Sequence, residues 1–415
     1  MTRRRVVSIL GAAVAAVAMV FLGATSASAH GEKAQEGFVR MEAVSWWDVQ
    51  FSKSSLKQGD QMTITGTAKI LETWPSNMSG GHPSICYFTV VEPGARFVLV
   101  DRTINGAETP QSFFCHKGGI YDFSMTLRAR DAGSWHVHPA VAVEQAGTLI
   151  GPGQWINIDS TPGGFTYPLN LLNGGTIDLE SYGTWLILGF SALTLVLGLW
   201  WMIYWTVPKR TVTRLAVSNQ LPLNQDGGEA VGLITRKDHR HMAIITLVTI
   251  LLLAVGFGYQ ALAYPGKIPQ QTDWSTPPAL PVVSDFAKAI ATDATYDPGS
   301  HVLTIKNHVT NMGKTPVTLA AFRTAYLAFV NPTAGSFAES GDYVHQLSRI
   351  SPSEEIQPGQ TTDVTLTIPG TVLEQEEMLP IGKAQLQVAG VVELRDSNGD
   401  RNFSTVETAL NPTRT

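Results

Sequence analysis

Two apolar stretches in the middle of the chain restrict its fold more than any other feature. Residues 183–207 are nearly all apolar and end in Trp200, Trp201, Tyr204 and Trp205, and residues 242–264 form a second such run. Each reaches the roughly 20 residues that a helix needs to cross a bilayer, and the terminal aromatics fall where lipid headgroups would sit. Buried core helices are the alternative, and two runs of this length without a charge argue against them. The intervening loop, residues 208–241, carries Lys209, Arg210, Arg214, Arg236, Lys237 and Arg240. That excess of basic residues places it in the cytoplasm and both flanking regions outside. The start of the chain agrees. Arg3-Arg4-Arg5, the apolar run Val6 to Gly23 and the small residues Ala27-Ser28-Ala29 read as a secretory signal over residues 1–29. Three arginines alone do not establish a folded-export route. Charged residues make up 15% of the 415, against about a quarter in ordinary soluble domains. The predicted location is the cell membrane, crossed more than once.

The outer regions read as all-β. In residues 30–165, alternating stretches such as Met62–Thr67 and Ile120–Leu127 are separated by Gly, Pro and Asn/Asp turns, the pattern of a sandwich. Residues 265–280, rich in Pro, Gln and Thr, form a linker. The β pattern returns over 281–415, with His301–Ile305 and Thr362–Ile368 alternating and Asp396-Ser397-Asn398-Gly399-Asp400 as a hairpin turn. The net charge is −5, and loss of the signal removes three arginines and no acid. With no basic patch interleaved with aromatics, nucleic acid is excluded as a partner. There is no Walker loop, no His-Glu-x-x-His and no Gly-x-Ser-x-Gly. No catalytic residue is identified.

The chemistry lies in the histidines. Cleavage after Ala29 makes His30 the first residue, so its free amine and its imidazole can chelate one metal ion. In Trp135-His136-Val137-His138-Pro139, a strand presents both imidazoles on one face, because side chains at i and i+2 point the same way. A nitrogen-rich set of His30, His136 and His138 suits copper by the order of divalent affinities. Zinc also takes histidine nitrogen, whereas redox chemistry requires copper. The two cysteines, Cys86 and Cys115, form an even pair in an exported region and read as a disulfide. His82 and His116 flank them, but the spacing matches no common zinc pattern. His239 and His241 are expected at the cytoplasmic end of the second span, and His301, His308 and His345 on surfaces or turns. Trp46, Trp47 and Trp135 are expected in the core.

His30-Gly31-Glu32-Lys33-Ala34-Gln35-Glu36, Trp46-Trp47-Asp48, Trp135-His136-Val137-His138 and Gly151-Pro152-Gly153-Gln154-Trp155-Ile156 together resemble the B subunits of the copper-containing membrane monooxygenases. That family includes the particulate methane, ammonia and short-chain hydrocarbon monooxygenases. The likeness continues through Trp74-Pro75, both apolar runs, and Leu303-Thr304-Ile305-Lys306-Asn307 with Asn311 and Pro316. It implies two cupredoxin-like β-sandwich domains joined by a two-helix transmembrane hairpin. It also implies assembly with two other integral membrane subunits, A and C, as a trimer of protomers served by an external electron donor. The family's copper ligands carry over onto His30, His136 and His138. Some members have further histidines where this chain has Ser45 and Lys69, so the reading is one copper in this subunit. The expected function is the copper-binding B subunit of a complex that hydroxylates a small substrate with O₂. A short-chain alkane is favoured over methane or ammonia. A different class remains: a membrane-anchored copper carrier, or a scaffold subunit whose metal only ties down the N-terminus. The ten methionines form no cluster of the kind a Cu(I) carrier uses.

Overall fold

The computed structural model describes residues 36–74, 83–144, 146–170, 174–206, 235–263, 274–281, 285–337, 343–380 and 386–412. The signal segment, His30, His82 and most of the loop between the apolar runs lie outside them. The chain forms two compact units, one made of residues 1–165 with 273–415, the other of residues 166–272. Its architecture is the expected one, β structure with two long apolar helices between the β regions in chain order.

The first β region is a sandwich. One sheet runs, neighbour to neighbour, Val44–Phe51, Gln61–Ile70, Ile120–Ala129, Phe97–Ile104 and Ala107–Glu108. The other runs Ser55–Lys57, Gln154–Asp159, Gly133–Val143, Ser84–Val91 and Phe113–Cys115, with Gly147–Ile150 also on Gly133–Val143. Alternation sets the core. Tyr121, Phe123, Met125, Leu127 and Ala129 are buried while the residues between them face outward. Trp46 fills the centre, its ring edge-on to Phe88 of the second sheet and Phe123 of the first, with centroids 6.1 and 5.6 Å away. Cys86 and Cys115 are joined and fully buried on neighbouring strands.

The second β region is, among the described residues, a nine-stranded sheet. Its last strand, Arg401–Pro412, pairs with Gln387–Asp396 through Ala409 and then with Ala287–Asp297 from Leu410 onward. Along the intervening stretch side chains replace the ladder. Asn402 Oδ1 accepts from the N–H groups of Phe286 and Ala287, and Ser404 Oγ bonds Ala289 in both directions.

Residues from Gly37 to Asp48 rivet the two β regions together. The helix Gly37–Ala43 buries Met41 in the core of the second region, and Arg40 lies over the Tyr326 ring at 5.0 Å. Trp46 N–H donates to Ala325 O, Trp47 stacks on Phe403 with centroids 4.5 Å apart, and Asp48 meets Arg401 at 2.7 Å. Asp48 can reach because the strand bulges there, placing it at φ +55°. Lys69, opposite Ser45 in the ladder, bonds Thr405 Oγ1 across the same seam. Beneath it Glu393, 0% exposed, accepts from Arg323, Arg395 and Arg401. Burial works to raise its pKa, but Arg323 and Arg401 outweigh that and hold it at about 2.

In the other unit the helices are Thr184–Thr206 and Arg236–Ala263, both long and apolar enough to span a membrane. The second begins six residues before its apolar run. Thr235 caps it, since Thr235 N–H and Oγ1 bond Asp238 Oδ2 while Asp238 N–H reaches back to Thr235. Asp238 also accepts from Tyr204 Oη of the first helix at 2.5 Å, and the His241 ring stacks on Tyr204.

Candidate metal centre

Val137 and Val141 anchor the strand Gly133–Val143 in the sandwich core, which leaves His136 and His138 on its opposite face. The two rings meet there. His138 Nε2 lies 3.1 Å from His136 Nδ1, with ring centroids 4.4 Å apart. His138 is only 5% exposed, whereas His136 is half-buried.

The turn Gly151-Pro152-Gly153 explains the difference. His138 Nδ1 is 2.8 Å from the Gly151 carbonyl. A carbonyl oxygen only accepts, so Nδ1 carries the proton, and in the neutral ring Nε2 presents a lone pair toward His136. A partner of this kind is what orients metal-binding histidines. Gly153 is required by space. A Cβ on it would lie 2.4–2.6 Å from three atoms of the His138 ring. The strand Gln154–Asp159 then runs antiparallel to the histidine strand and sets Trp155 opposite His136, where the rings stack at 5.0 Å. Composition alone marks Gly151–Gly153 as a turn and gives it no part in the site. The signal available was its position, immediately ahead of the strand that pairs with the histidines.

The pair fits a metal ion. Two nitrogens each about 2.0–2.1 Å from one ion are about 2.9 Å apart at a right angle and about 3.3 Å apart at a tetrahedral angle. The observed 3.1 Å falls between them. Among the described residues, no group of three or more His, Cys, Asp or Glu side chains is placed to hold a metal. His30, the expected third ligand, lies outside those residues. His116 is exposed beside the buried disulfide. His301 pairs with Glu374 at 2.9 Å and His308 with Asp363.

A family model for the monooxygenase B-subunit protein matches residues 31–414. The chain belongs to the monooxygenase B-subunit family. It is similar to the particulate methane monooxygenase alpha subunit of Methylococcus capsulatus (Bath), 29% identical over 408 residues that cover 96% of this chain and 95% of that protein. Among solved structures, the cupredoxin domain of amoB from Nitrosocaldus yellowstonii is 16% identical at a TM-score of 0.23, covering 28% of this chain and 87% of that one. The Yersinia pseudotuberculosis adhesin InvE is 9% identical at 0.17, covering 92% and 61%. The family is that of a membrane monooxygenase complex, and the chain's two long apolar helices accord with it.

Proposed function

We propose that this chain is the copper-binding B subunit of a membrane-bound monooxygenase that hydroxylates a small substrate with O₂, with a short-chain alkane as the favoured substrate. One observation carries the reading: in a chain of this family, His136 Nδ1 and His138 Nε2 converge at 3.1 Å while His138 Nδ1–H donates to the Gly151 carbonyl. His30 would complete the site through its amine and imidazole. Copper there would supply one-electron and oxygen chemistry. This chain's own residues hold and orient the ligands and shield His138 from water. Both β regions face outside the membrane, and the chain assembles with two integral membrane partners, the A and C subunits, receiving electrons from an external donor.

A scaffold role is the second reading, favoured by the burial of Met41 in the second β region only eleven residues after His30. A metal joining His30 to His136 and His138 would close that segment onto the first sandwich as well.

The test is metal analysis with Cu(II) spin resonance on the full mature chain beginning at His30 and on one with a single alanine placed before it. The reading expects about one copper with nitrogen hyperfine structure in the first form and weaker, altered binding in the second. Equal spectra would remove the amine from the ligand set. Loss of copper from a His136→Ala/His138→Ala form whose assembled complex stays fully active would leave the scaffold reading.

A further inference from the structure

Trp155 is 58% exposed, an unfavourable place for the largest apolar side chain, yet its ring has a fixed neighbour. It lies parallel to the His136 imidazole, centroids 5.0 Å apart and planes 24° from each other. The contact comes from backbone register, since Trp155 and His136 are directly opposite on paired antiparallel strands. The two histidines are therefore held by different means. His138 is locked by the Gly151 carbonyl and by the space that Gly153 leaves. His136 has one ring face covered by indole. Rotation of an imidazole about its last side-chain torsion is broad and roughly twofold, and a stacked ring narrows it.

We propose that Trp155 is a positioning residue of the metal centre, holding the His136 ring plane so that Nδ1 faces His138 Nε2 and thereby tightening the hold on divalent copper. The indole N–H is a donor only, so Trp155 is not itself a ligand. The inference rests on the copper reading of His136 and His138.

The experiment titrates Cu(II) into the full chain in detergent and into its Trp155→Ala, Trp155→Phe and His138→Ala forms, reading the dissociation constant and the spin-resonance spectrum. Trp155→Ala is expected to bind about tenfold more weakly, the low end for a group that orients a ligand, with an altered copper hyperfine splitting. Its metal-free melting temperature should fall only slightly, because more than half of the side chain is exposed. Trp155→Phe should restore most of the affinity and the wild-type spectrum. Copper should also quench a component of tryptophan fluorescence that is present in wild type and missing from Trp155→Phe. If wild type binds copper through His138 and Trp155→Ala matches it in affinity and spectrum, the positioning role is overturned and the copper reading stands. If His138→Ala binds as wild type does, the copper reading itself fails and the role of Trp155 fails with it.

Discussion

In the first β region His136 and His138 point at each other, whereas in the second His301 and His308 each point at a carboxylate. Residue type is the same and only the surroundings differ. His136 and His138 share a strand face two residues apart, and His138 Nδ1–H donates to the Gly151 carbonyl. His301 occupies a left-handed turn position at φ +52° and bonds Glu374, and His308 sits across the ladder from Asp363. A carboxylate on one ring nitrogen leaves the other available to a metal, as the Gly151 carbonyl does in His138. The difference is that His136 and His138 converge, while His301 and His308 each meet a carboxylate instead. What marks a candidate metal site is therefore the convergence of two ring nitrogens rather than the partner behind either ring.

The largest effect tests that contrast directly. Replacing His136 and His138 together by alanine should lower copper affinity by more than about a hundredfold, beyond the range expected for groups that only orient ligands. Replacing His301 and His308 together should leave copper content unchanged. Metal analysis of wild type and of both double variants, each purified in detergent, decides it. Copper loss from the second pair would move the metal into the other β region.

The second contrast is stability. The polar groups of the histidine face are proposed to bind copper, whereas those of the seam tie the two β regions together. Glu393→Ala leaves Arg323, 1% exposed, without its carboxylate, and breaking a buried pair on one side costs about 3–5 kcal/mol. Denaturant unfolding should register that loss while copper affinity stays within twofold of wild type. Gly153→Ala should do the reverse in smaller measure. Its methyl must displace the His138 ring, weakening copper about 10–100-fold at a stability cost of about 1–3 kcal/mol.

The two kinds of feature are unequally legible in the sequence. Period-two alternation along Ile120–Ala129 and the length of the apolar runs are local signals, and the sheets and helices follow them. His-x-His on a strand is equally local, so the meeting of His136 with His138 can be read. Asp48 with Arg401 cannot, because 353 positions separate them and the contact depends on a bulge that no residue pattern announces. Trp46 and Trp47 are both buried as expected, but Trp47 packs in the seam against Phe403 rather than in the sandwich interior with Trp46. Gly153 reads as a turn glycine, but what requires glycine there is the ring of His138, earlier in the chain on the neighbouring strand. The helix start at Arg236 is hidden because its capping residues are polar and lie beyond the apolar run that defines a span.

A last contrast separates the regions by acid. Glu92, at the end of the strand Ser84–Val91, accepts N–H bonds from Arg96 and Phe97 through Oε1 while its Oε2 is buried. Burial dominates and raises its pKa to about 7, the backbone bonds and Arg96 only partly opposing it. Glu393 sits at about 2, below the ordinary glutamate value of 4.5. The signs are opposite. A folded pKa above the unfolded value favours the protonated folded state, so the contribution of Glu92 is complete below about pH 4.5 and is lost as pH rises through 7. A depressed folded pKa favours the charged folded state, so that of Glu393 is complete above about pH 4.5 and is lost as pH falls toward 2. Melting temperature against pH should therefore decline gently between about 4.5 and 7 in wild type. That decline should flatten in Glu92→Gln, which keeps the Oε1 acceptor and cannot ionise, and persist in Glu393→Gln. A decline that survives in Glu92→Gln would assign it to another group, and the first sandwich would lose its claim to the pH-sensitive carboxyl.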